Sequence, residues 1–295
     1  MSLRDFGLLV VVCLLWAANT VVSKYAVSTL GAPPLFYSAV RFGVVALLAS
    51  PWLIPMPRPR WRLLAVAMLM GGGSFALVFL GLKTATPSAV AVVSQLGVPI
   101  TTLLSVAVLG ERIRWRRGLG VALTLAGVLA VMWDPRGLSL SAGLMFVLAS
   151  AVSASLGAVL MKQMEGVRPL RFQAWVGFAS FWPLAALTVA LEHGQADAST
   201  LPGFWAAALF SGVVVSLGAH TAYYVLIQRY EANLISPLTL MTPLATIGLG
   251  VMLLHDPFGP RMMLGTAVAL AGVLIIALRR NQVMPLLLAI RNRAQ

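Results

Sequence analysis

Apolar runs of about twenty residues alternate with short polar breaks along the whole chain. Charges and Pro or Gly turns divide it into ten candidate helices: 5–28, 33–55, 61–82, 86–109, 115–133, 139–163, 170–191, 202–227, 232–254 and 260–279. About 20 apolar residues suffice for a helix to cross the hydrocarbon of a bilayer. The run after Arg4 continues past Val22 to Tyr25 without a clean small-residue cleavage site, so it reads as an uncleaved first span and not as a signal peptide.

The pattern repeats. Gly120-Val-Ala-Leu-Thr-Leu-Ala-Gly127 returns as Gly265-Thr-Ala-Val-Ala-Leu-Ala-Gly272, 145 positions later. Each copy stands nine residues after an acid, Glu111 and Asp256. A weaker match runs from Phe79–Pro99 to Tyr223–Pro243, and Lys24 corresponds to Lys162. Five spans fall in each half, and an odd number makes the second half enter the membrane in the opposite sense. The expected fold is therefore an all-α integral membrane protein, with ten transmembrane helices in two inverted five-helix repeats (5+5) around a central cavity. The expected divisions are 1–135, 136–280 and a basic tail, 281–295.

Composition agrees. Of 295 residues, 60% are hydrophobic and 10% charged, with a mean hydropathy of +0.92, whereas a soluble domain carries roughly 25% charge. The net charge of +13 is mainly a topology signal. With the N-terminus inside, Arg4, Arg58, Arg60, Arg62, Arg112, Arg114, Arg116, Arg117, Lys162, Arg168, Arg171, Arg229, Arg279, Arg280, Arg291 and Arg293 fall on the inner side. Only Lys83, Arg136 and Arg261 fall outside. Both termini are thus expected in the cytoplasm. Loops this short leave no basic face for nucleic acid; lipid head groups are the partner the charge implies. The lone Cys13 forms no disulfide framework, and no metal-binding or cofactor motif occurs.

Polar groups inside spans are costly unless they pair or line a wet cavity. Trp16, Asn19 and Ser23 share one face of the first helix at i, i+3 and i+7, either packing against another helix or forming a cavity wall. Gln95 precedes Pro99 by four residues, and Thr239 precedes Pro243 by four. A proline leaves the carbonyl four residues back without its amide, so both prolines mark helix breaks or hinges. His220, with Tyr224 one turn on, is the one histidine within a span. Arg41 lies about 10 Å below the outer end of its helix at 1.5 Å per residue; it either snorkels or binds a carboxylate or carbonyl inside the protein. Lys24, near a helix end, reads as a snorkelling side chain. The acids all fall at helix ends or in loops, so proton coupling would fall to His220, or transport runs downhill.

With these features the chain resembles the drug/metabolite transporter superfamily, in its EamA-type ten-helix branch. Leu15-Trp16-Ala17-Ala18-Asn19 with Lys24, Pro33-Pro34 through Arg41, and Pro99 followed by Leu109-Gly110-Glu111-Arg112 carry the likeness. The second half departs from it at Leu254-His255-Asp256-Pro257. The resemblance implies a cavity among helices 1, 3, 4, 6, 8 and 9, with helices 5 and 10 peripheral, and the chain looks like a YddG-type bacterial amino-acid exporter. The expected protein is a monomeric inner-membrane exporter of small metabolites, chiefly amino acids including aromatic ones, working by alternating access. Trp16, Asn19, Ser23, Phe79, Gln95, His220, Tyr224 and Thr239 are its expected cavity lining. Efflux of drugs or aromatic cations is the alternative. A lipid-modifying enzyme is remote, because no acid–base pair has a recognisable spacing.

Overall fold

The computed structural model describes residues 1–109, 115–134, 139–161, 163–164, 166–230, 235 and 238–277. Glu111, Lys162, Glu165, Glu231 and the basic tail named above lie outside them.

Among the described residues, eight helices are long and apolar enough to cross a membrane: α1 (Leu3–Thr29), α3 (Arg60–Leu82), α4 (Pro87–Val108), α5 (Trp115–Met132), α6 (Ala142–Met161), α7 (Pro169–Leu191), α8 (Pro202–Ile227) and α10 (Pro260–Ala277). Two shorter apolar helices, α2 (Pro34–Leu48) and α9 (Met241–Leu254), complete the set. The expected second span ran to residue 55. Instead α2 stops at Leu48 and passes into a short 3-10 turn, Ser50–Trp52, because Pro51 has no amide to donate to the helix. A two-residue antiparallel bridge, Trp133–Asp134 with Ser139–Leu140, joins α5 to α6.

Capping places the helix starts. Ser2 accepts from the Asp5 amide at α1, Thr86 does the same for Ala89 at α4, and Pro34, Pro87, Pro169 and Pro202 stand in first turns. Large apolar side chains such as Leu47, Val189 and Met252, more than 70% exposed, cover the outside. A surface of that kind suits lipid.

The helices pack in reciprocal pairs. α1 lies on α9 and α4 on α6; α3 contacts α6 and α8 contacts α1; α2 packs on α7 and α5 on α10. Exchanging 1 with 6, 2 with 7, 3 with 8, 4 with 9 and 5 with 10 maps each of these contacts onto another or onto itself. The glycine repeat is the seam of the last pair. A methyl on Gly120 would stand 2.7 Å from the Gly272 carbonyl, and one on Gly265 would stand 2.8 Å from the Gly127 carbonyl. The two copies of the repeat thus pack on each other, backbone to backbone. Thr124 between them donates to the Gly120 carbonyl at 2.9 Å.

Several spans are irregular, α1 among them, with a π turn over Tyr25–Thr29. α3 contains a π turn over Met68–Gly72, with Gly71 at φ −98°, ψ −106°. Neighbouring serines take the groups it frees: Ser153 donates to the Leu69 carbonyl at 2.9 Å, and Ser180 accepts from the Gly72 amide at 2.8 Å. α8 is π-helical over Phe210–His220. α4 is interrupted at 95–96, between Pro87–Ser94 and Gly97–Leu109. Its Gly97 carbonyl accepts from Ser155 of α6 at 3.0 Å.

Candidate functional site

The π stretches of α3 and α8 border one buried cluster. Arg41 of α2 is fully buried. Its Nε donates to the Ser216 hydroxyl of α8 at 3.0 Å, and Ser216 donates in turn to the Ser211 carbonyl at 2.9 Å. The carbonyls of a π stretch are offset from their usual partners, which leaves them open to such side-chain donors. Arg41 therefore neither snorkels nor pairs with a carboxylate or carbonyl. Its guanidinium carbon lies 3.9 Å from the centre of the Phe75 ring, close enough for a cation–π contact.

Arg41 and Phe42 of α2, Met70 and Phe75 of α3, Phe172, Gln173 and Val176 of α7, and Ser216, His220 and Tyr224 of α8 line a cavity. It therefore draws on matched helices, 2 and 3 from one half, 7 and 8 from the other. The space open to the centre of a water molecule is about 20 Å³, room for a water or two. His220 donates from Nδ1 to the Val215 carbonyl at 2.9 Å, which leaves Nε2 as the nitrogen facing other partners. Its ring lies 5.2 Å from Trp16 and 6.0 Å from Phe75.

Of the residues singled out in the sequence, His220 and Tyr224 line this cavity, and Trp16 reaches its edge against His220 and Tyr223. Trp16 Nε1 is buried without a partner. Asn19, Ser23 and Phe79 belong to a neighbouring polar cluster centred on Tyr37. The Tyr37 hydroxyl lies 2.6 Å from the Ser211 hydroxyl and 3.5 Å from that of Ser23. Ser211 donates to Asn19 Oδ1 at 2.7 Å, and the Phe79 ring packs 5.0 Å from Tyr37. Tyr37 and Ser211 are thus the bridge between α1, α2 and α8, and neither stood out in the sequence.

Gln95 and Thr239 line neither cluster; Gln95 lies at the interruption of α4 and Thr239 in the turn before α9. Gln95 occupies the break before Pro99, and its amide reaches only the Ala91 carbonyl of its own helix, at 3.5 Å. Thr239 occupies the matching turn, 239–240, before Pro243. The resemblance placed the cavity among helices 1, 3, 4, 6, 8 and 9. The cavity described here takes its lining from α2, α3, α7 and α8.

Two of the described acids cap helix starts. Asp256 accepts from the Ser88 amide and hydroxyl, and Glu192 from the Leu35 and Phe36 amides, whereas the Asp5 carboxylate accepts from the Tyr230 hydroxyl. Lys24 donates to the Leu82 carbonyl at the end of α3, at 2.9 Å, so it is a C-terminal cap and not a snorkelling side chain. Among the described residues, no group of His, Cys, Asp and Glu is placed to hold a metal.

Two proteins named probable amino-acid metabolite efflux pumps, from Salmonella typhimurium and Escherichia coli, are each 25% identical, over 93% of this chain and 95% of theirs. A solved crystal structure 19% identical in sequence superposes with a TM-score of 0.64, over 93% of this chain and 96% of its own. It shares the fold. The profile of the EamA-like transporter family matches twice, over residues 6–133 and 141–278, and with a repeat in each half the chain belongs to that family.

Proposed function

We propose that the protein exports small metabolites, chiefly amino acids including aromatic and amphipathic ones, by alternating access between two inverted five-helix repeats. In this reading ten helices cross the bacterial inner membrane and both termini are cytoplasmic. The distribution of Lys and Arg supports that orientation. One observation carries the reading: a cavity walled by aromatic rings and a few polar groups lies where matched helix pairs of the two repeats meet. With room for a water or two it is too small for an amino acid, so admitting one requires the helices around it to separate. The interruption of α4 at 95–96 and the turn at 239–240 that leads into α9 supply points at which these helices can bend. His220, Tyr224 and Trp16 form the expected contact surface, together with Phe75, Gln173 and Arg41. Asn19, Ser23 and Phe79 support it from the Tyr37 cluster. The names of the enterobacterial relatives point to the same substrate class.

Efflux of aromatic cations is the weaker reading, because the buried charge of Arg41 repels a cation at that wall. Uptake of labelled amino acids into proteoliposomes tests the proposal. Saturable flux of aromatic and branched amino acids is expected; flux of lipophilic cations with none for amino acids would overturn it.

A further inference from the structure

Arg41 is a buried charge left with unused donors. A guanidinium offers five N–H groups in a plane, and here Nε alone has a partner, Ser216. Nη1 and Nη2 are buried with none. The rings around it do not meet that need. Phe75, at 3.9 Å, covers a face of the guanidinium, and Phe42 and Phe79 lie farther off, at 5.6 and 5.8 Å. A ring face does not accept the in-plane hydrogen bonds of the Nη edge.

Among the described residues, no acidic side chain joins Arg41 in lining the cavity. Leaving a desolvated charge unpaired is strongly unfavourable, and an Arg retained in such a place needs an anion. The planar fork matches a carboxylate, which takes two parallel hydrogen bonds from it. Gln173 and Tyr224 line the same cavity, with Phe172 beside them. These supply further polar contacts and an apolar wall for whatever the carboxylate is attached to.

We propose that Arg41 is a carboxylate subsite within the transport cavity, so that the substrates are free carboxylates with an apolar or aromatic body. This rests on the transport reading and narrows it. An amide or ester of the same compound loses the paired anion and, with a free amine, brings a net positive charge toward Arg41. A site built to hydrogen-bond one group discriminates strongly against its absence.

The test is binding to purified protein in lipid nanodiscs, read as a rise in melting temperature with ligand concentration. The probes are phenylalanine, leucine and methionine, each beside its amide, with sodium chloride and phosphate as controls. The acids are expected to protect the protein with affinities at least about 100-fold above those of the amides. Arg41→Gln is expected to abolish the difference. Equal protection by acid and amide, or none by any acid, would overturn the subsite. So would protection by chloride or phosphate matching that of the acids, or an undiminished acid preference in Arg41→Gln. Should that variant fail to fold, the acid-to-amide ratio of the unaltered protein decides the matter. Proteoliposome flux keeps the two proposals separate. Flux of amino acids with equal competition by amides sinks the subsite and leaves transport standing, whereas acid-selective binding without flux does the reverse.

Discussion

Asp256 reaches from the end of α9 into the first turn of α4, where its Oδ2 accepts from the Ser88 amide at 2.9 Å and the Ser88 hydroxyl at 2.6 Å. His255, in the left-handed region at φ 55°, ends α9 and turns the chain so that Asp256 faces that helix start. The bond couples the second repeat to the first. Its carboxylate also sits at the positive end of α4, where a negative charge is favoured. Asp256→Ala is expected to cost about 2 kcal/mol, read as a lower melting temperature in detergent. Asp256→Asn retains an acceptor oxygen and is expected to lose less. An unchanged melting temperature in Asp256→Ala would show that the cap contributes nothing.

The α5–α10 seam gives a sharper contrast. Within a helix, Gly→Ala gains about 1 kcal/mol in intrinsic propensity. At Gly118, where an added methyl meets nothing within 4 Å, that gain is expected to appear in full. At Gly120 the methyl would meet the Gly272 carbonyl at 2.7 Å and Ile276 at 2.8 Å. Backbone cannot move aside as a side chain can, so Gly120→Ala is expected to destabilise by about 1–3 kcal/mol. Equal melting temperatures for the two variants would argue against direct backbone contact between α5 and α10.

Eight spans were legible in the sequence because lipid tolerates few polar groups, and the breaks in apolar character fall near most of their ends; α2, which stops at Leu48, is shorter than expected. The Gly120–Gly127 and Gly265–Gly272 repeat was visible too. What it does was not, since periodicity says which face is small but not which helix meets it. The same limit applies to Arg41. Its depth in the span was plain, yet its partner, Ser216, lies 175 residues away on a stretch whose π geometry no pattern of hydrophobic positions encodes. Gln95 and Thr239 were read as lining because polar groups near a proline often face a cavity. In the fold they occupy the turns the prolines create.

Asn19 separates a supporting role from a binding one. Its Oδ1 accepts from Ser211, which lies 2.6 Å from the Tyr37 hydroxyl, and it is absent from the cavity lining. Asn19→Ala is expected to lower stability by about 0.6–2 kcal/mol, the range of interhelical hydrogen bonds in membranes, with little change in substrate affinity. His220→Ala, by contrast, is expected to weaken substrate binding several-fold, because the ring stands between Trp16 and Phe75 at the cavity wall. Affinity falling equally in both variants would place Asn19 at the substrate after all.

The matched prolines predict a variant that is sturdier and slower. Pro99 follows the interruption at 95–96, where the Gln95 and Leu96 amides bond three residues back, to Val92 and Val93, at 3.1 and 3.0 Å. Pro243 follows the turn at 239–240, where the Thr242 amide donates to Thr239 at 3.0 Å. Replacing either proline by alanine restores an amide and removes the clash with the carbonyl four residues back. α4 can then close into a continuous helix, and α9 can begin earlier, through 239–240. If bending at these points accompanies the opening of the cavity, a straighter helix stabilises one conformation at the expense of exchange. Pro99→Ala and Pro243→Ala are each expected to hold or raise the melting temperature. Each is also expected to lower the proteoliposome transport rate about tenfold, a barrier increase of about 1.4 kcal/mol. The double variant is expected to be slower than either single one, because each break serves one repeat. A full transport rate in the double variant would mean that the interruptions belong to the static fold and take no part in moving substrate.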